Sequence, residues 1–185
     1  QAHVWAAADV SVAPALRPGG AEFGHIKLAH QRDLKTKVLR DSLARFAKID
    51  SDVRVKGVGG QTDGTRWRTR VSLHVDDAGR IGPFAARSHR IIEVNDLPLA
   101  TAAVERAADK LYGDNADRID LIQAADGHVR VLNRTLDERG QPVERQASKR
   151  EVLSERVGER EFRVDADGFW QVHLDAATTL DGAVR

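Results

Sequence analysis

Residues 67–75 alternate without a break. Trp67, Thr69, Val71, Leu73 and Val75 fall on one face of an extended chain, and Arg68, Arg70, Ser72 and His74 fall on the other. A helix would scatter these two sets around its circumference, so the run specifies a strand with one apolar face. Its neighbours specify the kind of sheet. Asp76-Asp77-Ala78-Gly79 is a turn, Ile81 to Ala86 return from it, and Ile91 to Val94 follow. Connections this short cannot make parallel crossovers, so an antiparallel meander is predicted.

The same logic extends along the chain. Arg118 to Ala124 and His128 to Asn133 flank Ala125-Asp126-Gly127, a hairpin turn. Val152 to Val157 and Glu161 to Val164 are two more short strands, and Val53, Val55 and Val58 suggest another. Leu34 and Val38, then Leu39 and Leu43, then Phe46 and Ala47 make one apolar stripe, which predicts a helix from about Ile26 to Ala47. Lys35, Lys37, Arg40, Arg45 and Lys48 lie off that stripe, on a face that is either solvated or laid along a phosphate backbone. A second helix is expected from about Ala100 to Tyr112, with Pro98 near its start and Gly113 at its stop. A third starts near His173. Residues 1–24 read as irregular and 135–150 as a polar, mobile loop. The glycines of 57–64 form a loop that does not fit a phosphate-binding loop, because no Gly-Lys-Ser/Thr ending and no helix follow.

Composition excludes more than it selects. The 185 residues contain no cysteine, so they hold no disulfide, thiolate metal site or cysteine nucleophile. The histidines have no metal-ligand spacing; His25 and His30 are five apart, and no glutamate lies between them. No apolar run approaches the ~20 residues of a membrane span. Gln1 to Trp5 lack a signal-peptide pattern, so the expected compartment is the cytoplasm, with no membrane partner. The net charge is only +1, but arginine outnumbers lysine 22 to 7. Arginine's planar fork suits phosphates and stacked bases; a GC-rich coding sequence accounts for the same bias.

Two stretches carry candidate chemistry. Arg68 and Arg70, two apart on a strand, point the same way at ~7 Å spacing. With Trp67 they have the makings of a nucleic-acid surface; the alternative is a solvated strand face paired to Asp76 or Glu93. In Gly168-Phe169-Trp170-Gln171-Val172-His173, aromatics surround one amide at a strand-to-helix junction, with Phe162 close in sequence. A nucleobase pocket needs such a stacking surface and a group that both donates and accepts. Aromatics at a strand end are otherwise core.

These stretches together resemble one family, the S-adenosylmethionine-dependent RNA uracil-C5 methyltransferases that make 5-methyluridine in tRNA and 23S rRNA. Trp67-Arg68-Thr69-Arg70-Val71 looks like the family's aromatic-Arg-x-basic strand. Ser88-His89-Arg90-Ile91-Ile92 with Asp96-Leu97-Pro98-Leu99 looks like its S-H-x-[VI]-[VI] and C-P-L segments. Glu161-Phe162-Arg163-Val164 followed by Phe169-Trp170-Gln171-Val172-His173 looks like its F-x-V and F-x-Q-x-[NH] segments. The resemblance implies that Phe169 and Gln171 stand at the pocket for a flipped uracil and its cofactor. It implies that Trp67, Arg68 and Arg70 face structured RNA, and that the parent enzyme is a monomer using S-adenosylmethionine. One branch of the family holds an iron–sulfur cluster through four cysteines. Here that region reads Pro18-Gly19-Gly20-Ala21, followed by His25, Gln31 and Lys35, and the fourth position is Leu97, so no cluster is expected.

The fold expected is therefore α+β: an antiparallel sheet region with two helices, followed by the first strand–helix of a class I methyltransferase domain. Its expected divisions are an irregular segment at 1–24, a central RNA-positioning domain at 25–159 and the truncated start of a methyltransferase domain at 160–185. With no catalytic cysteine and no glycine cofactor motif, the piece is expected to be inactive by itself. The competing expectation is a stand-alone RNA-binding or interaction module without catalysis.

Overall fold

A computed structural model describes residues 8–20, 22–59, 63–113, 116–141, 143 and 151–185. The start read for a signal pattern, Gln1 to Trp5, lies outside the described residues. So do Ala21, the centre of the glycine loop at 60–62, and part of the polar loop, at 142 and 144–150.

The chain is a mixed helix and sheet structure with antiparallel sheets. Strand β1 (Arg70–Val75) pairs with β2 (Ile81–Gly82) on one side and β3 (Arg118–Gln123) on the other, and β3 pairs with β4 (Val129–Arg134). The register sets Val71 opposite Leu121 and Leu73 opposite Ile119. Because paired residues share a face, the apolar set of β1 joins Leu121 beneath helix α2 (Ala102–Ala108). Leu73, Ala100, Val104 and Leu121 are the buried centre, with Val71, Leu97 and Leu111 around them. Thr101 caps α2 by accepting from the Val104 N–H at 3.3 Å.

The opposite face of the sheet is not open to solvent at this end. Hairpin β5 (Val152–Val157) and β6 (Arg160–Asp165) lies against it. Ile122 and Ala124 from the β3 side meet Leu153 and Ala166 from the hairpin in a second buried cluster. The division expected between residues 159 and 160 falls at the turn of this hairpin. The strand expected to open a class I sheet, β6, is paired antiparallel with β5.

Helix α1 (Leu28–Ser42) ends in a π-type turn over Leu43–Ala47, closed by Lys48 in the left-handed conformation at φ 59°. It contributes no buried residue. The stripe that predicts core packing is exposed instead, with Val38 at 66% and Phe46 at 78%. No strand forms at Val53, Val55 and Val58. The segment runs extended along α1 and is held by its side chains. Arg40 Nε donates to the Val53 carbonyl at 2.8 Å, and the Val55 N–H donates to Thr36 Oγ1 at 3.0 Å. Helix side chains thus take the place of a sheet ladder for this backbone. Helix α3 (Ala176–Val184) follows the junction at His173. Among the described residues, no helix is long and apolar enough to cross a membrane.

Candidate functional site

Residues 166–174 are fastened to strand β1 and its N-terminal extension at two points. Beyond β6, the Gly168 N–H closes a turn onto the Asp165 carbonyl at 2.7 Å. Arg70 Nη1 donates to the Gly168 carbonyl at 2.8 Å and to the Ala166 carbonyl at 3.3 Å. Further on, the Val172 carbonyl accepts from the Thr69 N–H at 2.8 Å and from Thr69 Oγ1 at 3.1 Å. The Leu174 N–H donates to the Trp67 carbonyl at 2.9 Å. Residues 169–171 stand between these two fastenings.

Alternation decides what the three residues do. Trp170 lies half-buried against the Phe162 ring at the edge of β6, with ring centroids 5.9 Å apart and planes at 46°. Its neighbours therefore turn outward: Phe169 is 82% exposed and Gln171 is exposed. A hydrophobic ring that ordinarily seeks a core stands in solvent on a backbone fixed from behind. The core reading of this stretch therefore fails for Phe169, and Trp170 is only half-buried.

Trp67 and Arg68 stand on the same mount. The Trp67 ring stacks on His173 at 5.2 Å and 14°. Its Nε1 donates to the Gly64 carbonyl at 2.9 Å. The Arg68 guanidinium lies 5.1 Å from the Trp67 ring centre, within cation–π range. Arg66, just before, has φ 60° and ion-pairs with Glu105, whose other oxygen accepts from the Leu97 N–H at 3.0 Å.

Arg70 does not join Arg68 on an outward face. Its side chain is only 13% exposed, because its register partner is Ile122 and the β5–β6 hairpin covers that face. Besides the two carbonyls it faces the buried Glu155 carboxylate, with Nη2 to Oε1 at 3.8 Å. Burial lowers the Arg70 pKa and raises that of Glu155, and each partner's charge opposes the other's shift. Strand alternation placed Arg68 and Arg70 on one face, but the cover over that face comes from a hairpin 80 residues further along, which local pattern cannot report.

The segments that correspond to the cluster cysteines of that one branch also come together. Pro18, Gly19 and Gly20 line one mainly apolar cavity of about 350 Å³ with Leu97 and Pro98. The Gly19 N–H donates to the Phe84 carbonyl at 2.8 Å, and His74 stacks on Phe84. Burial and the Arg118 charge lower the His74 pKa. Pro18, Gly19, Gly20 and Leu97 offer no sulfur ligand, so this donor set does not fit an iron–sulfur cluster.

No family model matches the chain. An uncharacterized RNA methyltransferase of Streptomyces coelicolor is 29% identical over 197 residues, covering 91% of this chain and 43% of that protein. A 23S rRNA (uracil(1939)-C(5))-methyltransferase of Halomonas elongata is 35% identical over 108 residues, covering 55% of this chain and 22% of that protein. Among solved structures, Pyrococcus abyssi tRNA (uracil-54, C5)-methyltransferase in complex with S-adenosyl-L-homocysteine aligns with a TM-score of 0.54. That alignment has 15% identity and covers 83% of this chain and 48% of that one, a likeness of fold.

The chain is thus similar to RNA methyltransferases, one of them a 23S rRNA uracil-C5 methyltransferase. It spans less than half the length of the curated relatives it matches. The family-like segments, far apart in sequence, meet in space. The Trp67-Arg68-Thr69 segment bonds Leu99 of the Asp96-Leu97-Pro98-Leu99 segment on one side and Val172 of the Phe169–His173 segment on the other. Arg68 forms bridges to both Ala100 and His173.

Proposed function

We propose that this chain is the RNA-positioning portion of a protein that transfers a methyl group from S-adenosylmethionine to C5 of a uridine in tRNA or rRNA. The observation that carries the reading is the outward pair Phe169 and Gln171 on a rigid mount. A phenyl face stacks on a base, and a primary amide both donates and accepts, which matches the mixed donor and acceptor edge of uracil. Trp67 and Arg68, stacked beside the mount, supply an aromatic and a cationic group for the flanking nucleotide. Arg70 acts from behind, fixing the carbonyls that hold Phe169 in place. S-adenosylmethionine supplies the methyl group when bound. The 185 residues include no cysteine, so they bring no thiol to add to the base.

The names of the relatives and the shared fold support this reading. Its test is methyl transfer to a uridine-loop RNA hairpin by a protein of the relatives' length, together with RNA affinity. Gln171→Ala is expected to lower transfer at least about tenfold, the loss of one two-point base contact, with an unchanged melting temperature. Unchanged transfer would remove Gln171 from the site. RNA binding with no transfer by the wild type would favour an RNA-binding module without catalysis.

A further inference from the structure

Helix α1 and the extended 53–58 segment enclose a groove that meets the site above only at its aromatic end. It consists of two adjoining cavities, of about 400 and 570 Å³, with Arg32, Val55 and Lys56 in the walls of both. Lining residues 29, 32, 33, 36, 37 and 40 recur at three- and four-residue spacing, so one face of α1 forms the floor. The facing wall is the extended segment that Thr36 and Arg40 hold. Arg54 and Lys56, two apart on it, are both exposed. From Leu28 to Asp41 the helix runs about 20 Å at 1.5 Å per residue.

The charge of this groove is unspent. Arg32, Lys35, Lys37, Arg40, Arg54 and Lys56 line it. Among the described residues, all but Arg40 have side chains with no hydrogen bond or ion pair, whereas most other arginines near the sheet are paired to carboxylates. Four acidic residues also line the groove. Asp63 is committed to its own loop through the Thr65 N–H at 2.9 Å, and Glu22 accepts from the Gly20 N–H at 3.2 Å. Asp33 and Asp41 on the helix neutralise no cation by direct pairing. Gly57 shapes the wall: a Cβ there would stand 2.6 Å from Arg32 Nη2, so the glycine lets that guanidinium lie across the segment.

One end of the groove is aromatic. Trp67 and His173, already stacked on each other, line it there, and His173 is two residues from Gln171. A row of unpaired cations ending on a stacked aromatic pair beside an exposed Phe and Gln has the layout of a track for a nucleic-acid strand. We propose that this groove holds the phosphate backbone of the RNA strand whose base is presented at Phe169 and Gln171. The inference rests on the RNA reading above and adds where the strand runs.

Salt dependence tests it, because each phosphate neutralised adds about 0.7 to the slope of log affinity against log salt for a single strand. The probe is a fluorescein-labelled uridine-loop RNA hairpin with a single-stranded tail, titrated with the chain between about 50 and 200 mM KCl. The double variant Arg54→Gln, Lys56→Gln removes no bond of the fold, and is expected to flatten the slope by about 1.4. Lys110→Gln, on a different surface, is expected to leave it unchanged. An unchanged slope in the double variant, with Phe169→Ala still weakening binding, overturns the groove and leaves the RNA reading standing. No salt-dependent RNA binding by the wild type overturns both. Polyglutamate that binds as tightly as the RNA, and loses affinity equally in the double variant, marks a general acidic-partner surface and overturns the assignment to RNA.

Discussion

Arg70 Nη1 donates to the carbonyl of Gly168 at 2.8 Å across 98 residues of chain. This bond, with the one to Ala166 and the charge of Glu155, makes Arg70 the fastening between the central sheet and the turn that presents Phe169. Arg70→Met keeps the aliphatic stem but leaves the Glu155 carboxyl and two carbonyls without their partner. A loss of about 3 kcal/mol is expected, the cost of breaking a buried charged pair from one side. Chemical denaturation measures it. RNA affinity, measured where the variant is fully folded, should fall less than for Arg68→Gln; the opposite order would return Arg70 to the RNA-contacting set.

Phe169 and Trp170 are neighbours with opposite expectations. Phe169→Ala removes an exposed ring, so stability should stay within about 0.5 kcal/mol of wild type. Affinity for a uridine-loop hairpin should drop by about 1–3 kcal/mol, the contribution of one stacked base. Trp170→Ala removes the contact with Phe162 and should cost at least about 1 kcal/mol of stability. Thermal melts and fluorescence titration of the two variants check both statements. Equal stability losses would mean that both rings belong to the core.

Much of this was readable from residues alone, for reasons that differ by element. The alternation at 67–75 and the Ala125-Asp126-Gly127 turn gave the antiparallel pairing because strand period and turn chemistry are local properties. The outward Phe169 and Gln171 followed from a resemblance to known sequences; the residues by themselves left the core reading open. Three features were not readable. Val53 and Val55 look like a strand, but Thr36 and Arg40 satisfy their backbone from a helix. The α1 stripe has the period of a core helix, yet Val38 and Phe46 stand largely exposed. Arg70 shares a face with Arg68 by alternation, but the β5–β6 hairpin closes over it. Each of these depends on what lies opposite, which sequence period does not encode.

Asp126 makes a pH prediction at the turn between β3 and β4. Arg130 donates to both its oxygens, at 2.8 and 2.7 Å, and the His128 N–H donates at 2.9 Å. These bonds favour the charged form and lower its pKa from 3.8 to about 2. A folded pKa below the unfolded one means stability present above pH 3.8 and lost as pH falls through about 2. Carboxyl chemical shifts followed by NMR should place its midpoint near 2. Arg130→Gln should move that midpoint up toward the ordinary aspartate range. A wild-type midpoint already in that range would mean that the Arg130 fork is not populated in solution.

Gly59 touches the site from the glycine-rich loop. Its φ is +67°, and a Cβ there would stand 1.9 Å from Asp175 Oδ2, just before α3. Two separate costs therefore attach to Gly59→Ala: a left-handed backbone, about 1–2 kcal/mol for a residue with a Cβ, and a collision with the carboxylate. Asp175→Ala relieves the second and leaves the first. A double-mutant cycle should therefore find Gly59→Ala less costly in the Asp175→Ala background than in the wild type, with a coupling of at least about 0.5 kcal/mol. Denaturant unfolding of the four proteins measures it. Additive effects would mean that the loop does not rest on residue 175 in solution, and would detach the glycine-rich segment from the mount of Gln171.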